Sequence, residues 1–183
     1  MMVFRKIAAV LGGLATLAAT ACEEVPFQTV VEYRQGGDNF SFFQYAASKG
    51  PFWVDVRGNP FGGDLAPLER TIVKAFKNGM PQLGGVRFTT DKNQAAEPVQ
   101  RIVVVFEPPQ GLSPQNICDG AVPADLGKLR ANGEVHAYTV YCSKEQARIV
   151  VSGIARGITG PEDKALRKML THTLIEMFKP GSL

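Results

Sequence analysis

The sequence has few of the residues with which enzymes carry out chemistry. Among its 183 residues there are two histidines, His136 and His172, and one tryptophan. Neither histidine has a histidine partner three or four positions away, as metal-binding helices do. Ser152-Gly153 lacks the glycine two residues before the serine that a G-x-S-x-G nucleophile elbow requires. The sequence therefore predicts no catalytic residue, no metal and no cofactor.

The sequence also lacks an apolar run long enough to span a bilayer comfortably. The run Ile7–Ala18 would form about 18 Å of helix at 1.5 Å per residue, against a hydrocarbon core of about 30 Å. It follows a short basic start with Arg5 and Lys6, and it ends at the small residues Ala19-Thr20-Ala21. This arrangement is typical of a secretory signal peptide, which we place at residues 1–21.

A cysteine, Cys22, directly follows the small residues. The segment Ala19-Thr20-Ala21-Cys22 resembles the lipobox of bacterial lipoprotein precursors, although the family usually has leucine where Ala19 stands. The resemblance implies that Cys22 is lipidated, becomes the new N-terminus and anchors the protein to a membrane facing the periplasm. It also implies that Glu23, which is not the aspartate of inner-membrane retention, favours the outer membrane. The alternative is ordinary cleavage, which gives a periplasmic or secreted protein that begins at Cys22.

Neither sign of charge dominates the mature chain. The whole sequence has 20 Lys and Arg against 17 Asp and Glu, a net charge of +3. Removal of the leader takes away Arg5 and Lys6, which leaves 18 against 17 and a net charge of +1. Because the charges are also interspersed, the sequence predicts neither a nucleic-acid partner nor a face for an anionic membrane.

The three cysteines are Cys22, Cys118 and Cys142. An odd number of thiols suits an exported protein poorly, but lipidation of Cys22 would leave the other two free to pair. We therefore expect a disulfide between Cys118 and Cys142, which would staple the irregular segment 110–133. Two buried, unpaired cysteines are the alternative, since cysteine packs as a small hydrophobic residue.

The pattern of apolar residues predicts one α+β domain over residues 29–183, joined to the lipid by a short tether at residues 22–28. We expect four to five mainly antiparallel strands in one sheet, with Gln100–Phe106 central and covered on both faces. Two further segments, Glu134–Cys142 and Gln146–Ala155, have the spacing of a hairpin. Apolar positions at helical spacing predict two main helices on one face of the sheet, Asp64–Asn78 and Gly160–Phe178.

Aromatic residues concentrate between positions 40 and 53. In the predicted helix at 39–48, Phe42, Phe43, Ala46 and Ala47 share one face, which favours a place in the core over a binding surface. Trp53 follows on the next strand, and we expect its edge to remain exposed. It is a candidate binding residue for a glycan or another partner.

The loop Arg57–Gly63 joins a strand to a helix and contains three glycines. Glycine-rich loops in this place bind phosphate, but this one matches neither the Walker motif nor G-x-G-x-x-G. Asp64 at the helix start would also repel an anion. We therefore expect a tight structural turn, with Arg57 and Asn59 as the candidate binding residues if the loop has a function.

Three hypotheses for function follow from these patterns. The first is a lipid-anchored envelope protein without catalytic activity, which binds or assembles with another envelope component. The second is a periplasmic hydrolase whose site, around residues 55–64, combines Asp55, Arg57 and Asn59 with one histidine. The third is a small-ligand or cell-wall-binding module that uses Trp53 and neighbouring aromatic residues.

Overall fold

The computed structural model describes residues 26–81, 85–123 and 126–179. The predicted leader and Cys22 lie outside these ranges. The strands are β1 (Phe27–Arg34), β2 (Phe52–Arg57), β3 (Phe88–Thr89), β4 (Gln100–Phe106), β5 (Val135–Ser143) and β6 (Gln146–Ala155). The helices are α1 (Asn39–Lys49), α2 (Ala66–Gly79), α3 (Pro114–Cys118) and α4 (Lys164–Phe178), with a 3-10 turn at Lys92–Gln94. Within the described ranges, no helix is long and apolar enough to cross a bilayer.

The strands form one sheet in the order β1-β6-β5-β4-β2-β3, which confirms the α+β class. The predicted count of four to five strands is too low, since the sheet has six strands among the described residues. It is also mixed: β1, β6, β5 and β4 pair antiparallel, whereas β2 pairs parallel with both β4 and β3. α2 connects β2 to the parallel β3 as a helical crossover, and the segment with the 3-10 turn then brings the chain back to β4, which runs in the same direction.

The central strand β4 is covered on both faces, as predicted. Ile102, Val104 and Phe106 belong to the larger buried cluster, which they share with α1, α2 and α4. Val103 and Val105 belong to a smaller cluster on the other face, together with α3. The predicted hairpin is also confirmed, because β5 and β6 pair antiparallel along their length.

The two main helices pack on one face of the sheet, where α1 joins them, and the short α3 packs on the other. Both main helices begin later than predicted. α2 begins at Ala66, whose amide donates to Asp64 Oδ1 at 3.0 Å. α4 begins at Lys164, because Asp163 provides the cap by accepting from the amide of Ala165 at 2.8 Å. An aspartate is therefore the N-cap of α4, whereas the N-cap of α2 is Leu65, one residue after Asp64.

The aromatic helix α1 is only partly buried on the face that the sequence predicts. Phe43 and Ala46 are fully buried, and the Phe43 ring stacks on Phe178 with centroids 4.4 Å apart. Phe42, however, is 52% exposed, so its predicted place in the core is wrong. Its ring instead lies 5.9 Å from the guanidinium carbon of Arg148 on β6.

Candidate functional site

Strand β2 presents a row of polar and aromatic side chains on the face opposite the main helices. Phe52 and Val54 are buried in the larger cluster beneath those helices. Because side chains alternate along a strand, Trp53, Asp55 and Arg57 point to the other face. All three are partly buried. Together with their neighbours Lys92 and Arg101 they form what we name the Trp53 site.

Trp53 lies between two cations. Arg101 is its partner in register on β4, and its guanidinium carbon lies 5.5 Å from the indole centroid. Lys92 approaches from the 3-10 turn that follows β3, with Nζ 5.3 Å from the same ring. Both distances are within the range of a cation–π contact. One cation therefore reaches the indole ring from β4 and the other from the 3-10 turn.

The Arg101 side chain is fixed by backbone carbonyls. Its guanidinium donates to the carbonyl of Cys118 at the end of α3 and to that of Lys144 in the β5–β6 turn, the latter at 3.0 Å. Burial lowers the pKa of Arg101, and the neighbouring Arg57 acts in the same direction, whereas Asp55 opposes them. Arg101 Nε is buried and has no hydrogen-bond partner among the described residues.

Arg57 and Asp55 form an ion pair. Arg57 Nη2 lies 2.8 Å from Asp55 Oδ2, and the side chain of Arg57 is 42% exposed while that of Asp55 is 14% exposed. On the same face of β2, Asp55 lies two positions and Arg57 four positions after Trp53. The partly exposed side chain of Arg57 thus extends the cationic row, and the carboxylate of Asp55 partly balances its charge.

Asn59 is not part of this surface, because its side chain bonds within its own loop. Its Nδ2 donates to the carbonyl oxygens of Gly62, Gly63 and Asp64 at 3.0 to 3.4 Å, and its Oδ1 accepts from the amide of Phe61. The loop is therefore the tight β-to-α connection that the sequence predicts, with Asn59 as its organiser. These contacts do not favour Asn59 as a ligand-binding residue.

The disulfide between Cys118 and Cys142 is present, as predicted, with the Cα atoms 5.6 Å apart. It joins the end of α3 to β5 within the smaller buried cluster. Both cysteines are almost completely buried. Because α3 also supplies the carbonyl that holds Arg101, the disulfide fixes one wall of the Trp53 site.

A charged network that the sequence did not predict lies at the N-terminal end of β5, whereas the disulfide lies near its C-terminal end. Glu107 has a left-handed backbone (φ 47°) and is buried, and its carboxylate accepts from the amide of His136 at 2.7 Å and from Arg130 Nε at 3.2 Å. Glu134 pairs with His136 at 2.7 Å and with Arg156 at 3.2 Å. The hydrogen bond from His136 lowers the pKa of Glu134. Glu134 and His136 are close in sequence, but Glu107 and Arg156 join them only through the fold.

The contacts of the two histidines are with residues outside the Trp53 site. His136 belongs to the charged network, and His172 lies on α4, across the sheet from Trp53, with its ring 4.9 Å from that of Phe27. Among the described residues, no group of three His, Cys, Asp or Glu side chains is arranged to hold a metal ion. The hydrolase hypothesis, which requires a histidine near Asp55 and Arg57, gains no support from these contacts.

Alternation along FWVDVR is the signal that finds most of the site. It places Trp53, Asp55 and Arg57 on one face as soon as Phe52 and Val54 are assigned to the core. Lys92 and Arg101 were missed, because their proximity to Trp53 depends on the parallel pairing of β2 with β3 and β4. Nothing local in the sequence specifies that pairing.

No family model matches the chain, and no curated protein sequence matches it significantly. Among solved structures, it is similar to the PelC dodecamer from Paraburkholderia phytofirmans, with 13% identity and a TM-score of 0.43 over 82% of this chain and 96% of that one. A dodecamer of a PelC variant from the same organism has 10% identity and a TM-score of 0.39, over 82% and 97%. No functional conclusion follows from likeness at this level.

Proposed function

We propose that this protein is a lipid-anchored binding module of the cell envelope, held to a membrane through Cys22. The anchor is motivated by the lipobox resemblance of Ala19-Thr20-Ala21-Cys22. The disulfide supports the same role, since it uses two of the three cysteines in the sequence and leaves the thiol of Cys22 for the lipid. A disulfide also suits an oxidising compartment such as the periplasm.

The binding role rests on one observation, the position of Trp53 between Lys92 and Arg101. Aromatic rings contact the apolar faces of sugars, and cations attract carboxylates, so this combination suits an anionic glycan or glycopeptide. Cell-wall fragments have both sugar rings and free carboxylates. Arg57 extends the cationic side of the surface, and its ion pair with Asp55 holds it there.

The test is a titration of the purified, lipidated protein in detergent with soluble peptidoglycan fragments. We expect binding to change the fluorescence of the single tryptophan. By calorimetry, Trp53→Leu should weaken affinity about tenfold, which corresponds to roughly 1–2 kcal/mol of aromatic and cation contact. The matched control is Phe42→Leu, which alters another exposed aromatic residue beside an arginine, on α1.

The control variant should bind like the wild type. Failure of the wild-type protein to bind any fragment would contradict the cell-wall ligand. Equal affinities of Trp53→Leu and the wild type would contradict the site.

A further inference from the structure

The exposed side of α4 is strongly basic, which the linear sequence conceals. Lys164, Arg167 and Lys168 project from its first five residues, and His172 follows one turn later. Lys164, Lys168 and His172 are exposed and Arg167 is partly exposed. With Phe27 at the start of β1, these residues line a cleft of about 520 Å³. We name this surface the α4 basic face.

The charges on this face are not neutralised by neighbours. Among the described residues, no ion pair involves the side chain of Lys164, Arg167 or Lys168. Two carboxylates lie close by, that of Asp163, which caps the helix by accepting from the amide of Ala165, and that of the exposed Glu162, and the three cations outnumber them. The surface therefore carries a local positive charge, although the mature chain as a whole is nearly neutral.

Helix stability does not explain this arrangement. Cations near the N-terminus of a helix oppose its dipole, whereas acidic residues there and basic residues in the last turn would favour it. α4 has no acidic residue in its first turn and no basic residue in its last turn. These cations therefore do not stabilise α4 through its dipole, and on an exposed face they are accessible to a partner outside the domain.

The neighbouring helix extends the same surface. α2 packs beside α4, with Thr171 Oγ1 donating to the carbonyl of Ala75 at 3.1 Å. Its exposed side carries Arg70, Lys74 and Lys77, which also make no ion pair within the described ranges. Glu69 on the same helix is the carboxylate among them. Six cations thus share the outer side of the helical layer.

The position of Phe27 limits how far the α4 basic face can lie from a lipid on Cys22. Phe27 follows Cys22 by five residues, and a fully extended chain of that length spans at most about 18 Å. Since the ring of Phe27 lies on the edge of the α4 basic face, 4.9 Å from that of His172, a lipid on Cys22 would hold this face close to the headgroups.

We infer that the α4 basic face docks on anionic phospholipid headgroups of the bilayer that holds the anchor. This inference rests on the proposed lipidation of Cys22. It reverses the expectation, drawn from the balanced charge of the chain, that the protein has no face for an anionic membrane. Phosphate groups attract clustered lysine and arginine side chains, and this attraction weakens as salt screens it. Docking would also leave the Trp53 site, on the opposite face of the sheet, turned away from the membrane.

Lysine footprinting of the lipidated protein tests the inference. The protein is reconstituted into vesicles of phosphatidylcholine alone, or of phosphatidylcholine with one third phosphatidylglycerol, and treated briefly with a membrane-impermeant acylating reagent. Mass spectrometry then gives the labelling rate of each lysine. We expect Lys164 and Lys168 to react several-fold more slowly on the anionic vesicles, and high salt to remove the difference. Lys128 and Lys144, which are exposed elsewhere, should react equally on both.

A pair of single-charge variants gives the matched control. Arg167→Gln should reduce the protection of Lys164 and Lys168, whereas Arg87→Gln, which removes an exposed charge outside this face, should leave it unchanged. Equal labelling rates of Lys164 and Lys168 on the two vesicle types would overturn the inference. An intact mass that lacks the lipid, measured before reconstitution, would instead overturn the anchor itself.

Discussion

The guanidinium of Arg101 donates to the carbonyl of Cys118, so the disulfide and the Trp53 site share one element, α3. Arg101 in turn lies beside the ring of Trp53. A covalent link buried in the smaller cluster thereby positions a cation at the surface. This relationship connects the stability of the domain to its candidate binding site.

Removal of the disulfide should destabilise the protein substantially. The bridge spans 24 residues, and in the chain-entropy model a loop of this size contributes about 3.5 kcal/mol. We expect the double variant Cys118→Ala, Cys142→Ala to lose about this much free energy of unfolding in urea. The wild type treated with reductant should behave in the same way. A loss below about 1 kcal/mol would show that the link adds little to the folded state.

Arg101→Gln should both destabilise the domain and change the surroundings of Trp53. The substitution leaves the carbonyls of Cys118 and Lys144 without their charged donor, at a cost of about 1–3 kcal/mol. Without the guanidinium the indole should also become more exposed, which shifts its emission to longer wavelength. Lys92→Gln removes only a cation–π contact and should cost at most about 1 kcal/mol. Equal effects of the two variants in urea unfolding would argue against the anchoring role of Arg101.

Phe43 and Phe42 are adjacent, but truncation of Phe43 should destabilise the protein far more than truncation of Phe42. Phe43 is completely buried and contacts the rings of Phe52 and Phe178, so Phe43→Ala should cost about 3–5 kcal/mol. Phe42 is 52% exposed, and Phe42→Ala should cost less than about 1 kcal/mol. Thermal and urea unfolding of both variants measure the difference. Similar losses would place both rings in the core, as their shared helical face suggested.

Glu134 should contribute to the pH dependence of stability. The hydrogen bond from His136 lowers its folded pKa below the ordinary value of 4.5, and Arg156 acts in the same direction, against desolvation. Its contribution is therefore fully present above about pH 4.5 and is lost as the pH falls through the lowered pKa.

Urea unfolding between pH 3 and pH 6 tests this. Glu134→Gln should flatten the acid limb of the stability curve. Glu162→Gln is the control, because the carboxylate of Glu162 makes no ion pair within the described part of the chain. An acid limb of Glu134→Gln as steep as that of the wild type would contradict the assignment.

The features that depend on local sequence pattern could be predicted from the sequence. Apolar β4 and the β5–β6 hairpin follow from composition and spacing, whereas the pairing of Cys118 with Cys142 was expected because the lipobox resemblance assigns Cys22 to the lipid. The mixed sheet was not predictable in this way, because no local signal shows that β2 pairs parallel with β3 and β4. Phe42 was misassigned for a related reason: a helical face is wide enough to hold both buried and exposed rings.

The same limit applies to the surfaces. Trp53 and Arg57 could be named from the sequence, but Lys92 and Arg101 join them only through strand pairing. The cations of α2 and α4 lie about a hundred positions apart in the chain, and their shared outer side appears only when the two helices pack together. A balanced net charge therefore says little about how charge is distributed over the folded surface.

The lipid anchor is the central claim of this account, and the intact mass of the protein from its native membranes tests it most directly. We predict a mature chain that begins at Cys22, with the added mass of a lipid on that residue. Reduction should increase the mass by two hydrogens, from the disulfide of Cys118 and Cys142. An unprocessed chain, or a mature chain from Cys22 without a lipid, would contradict it.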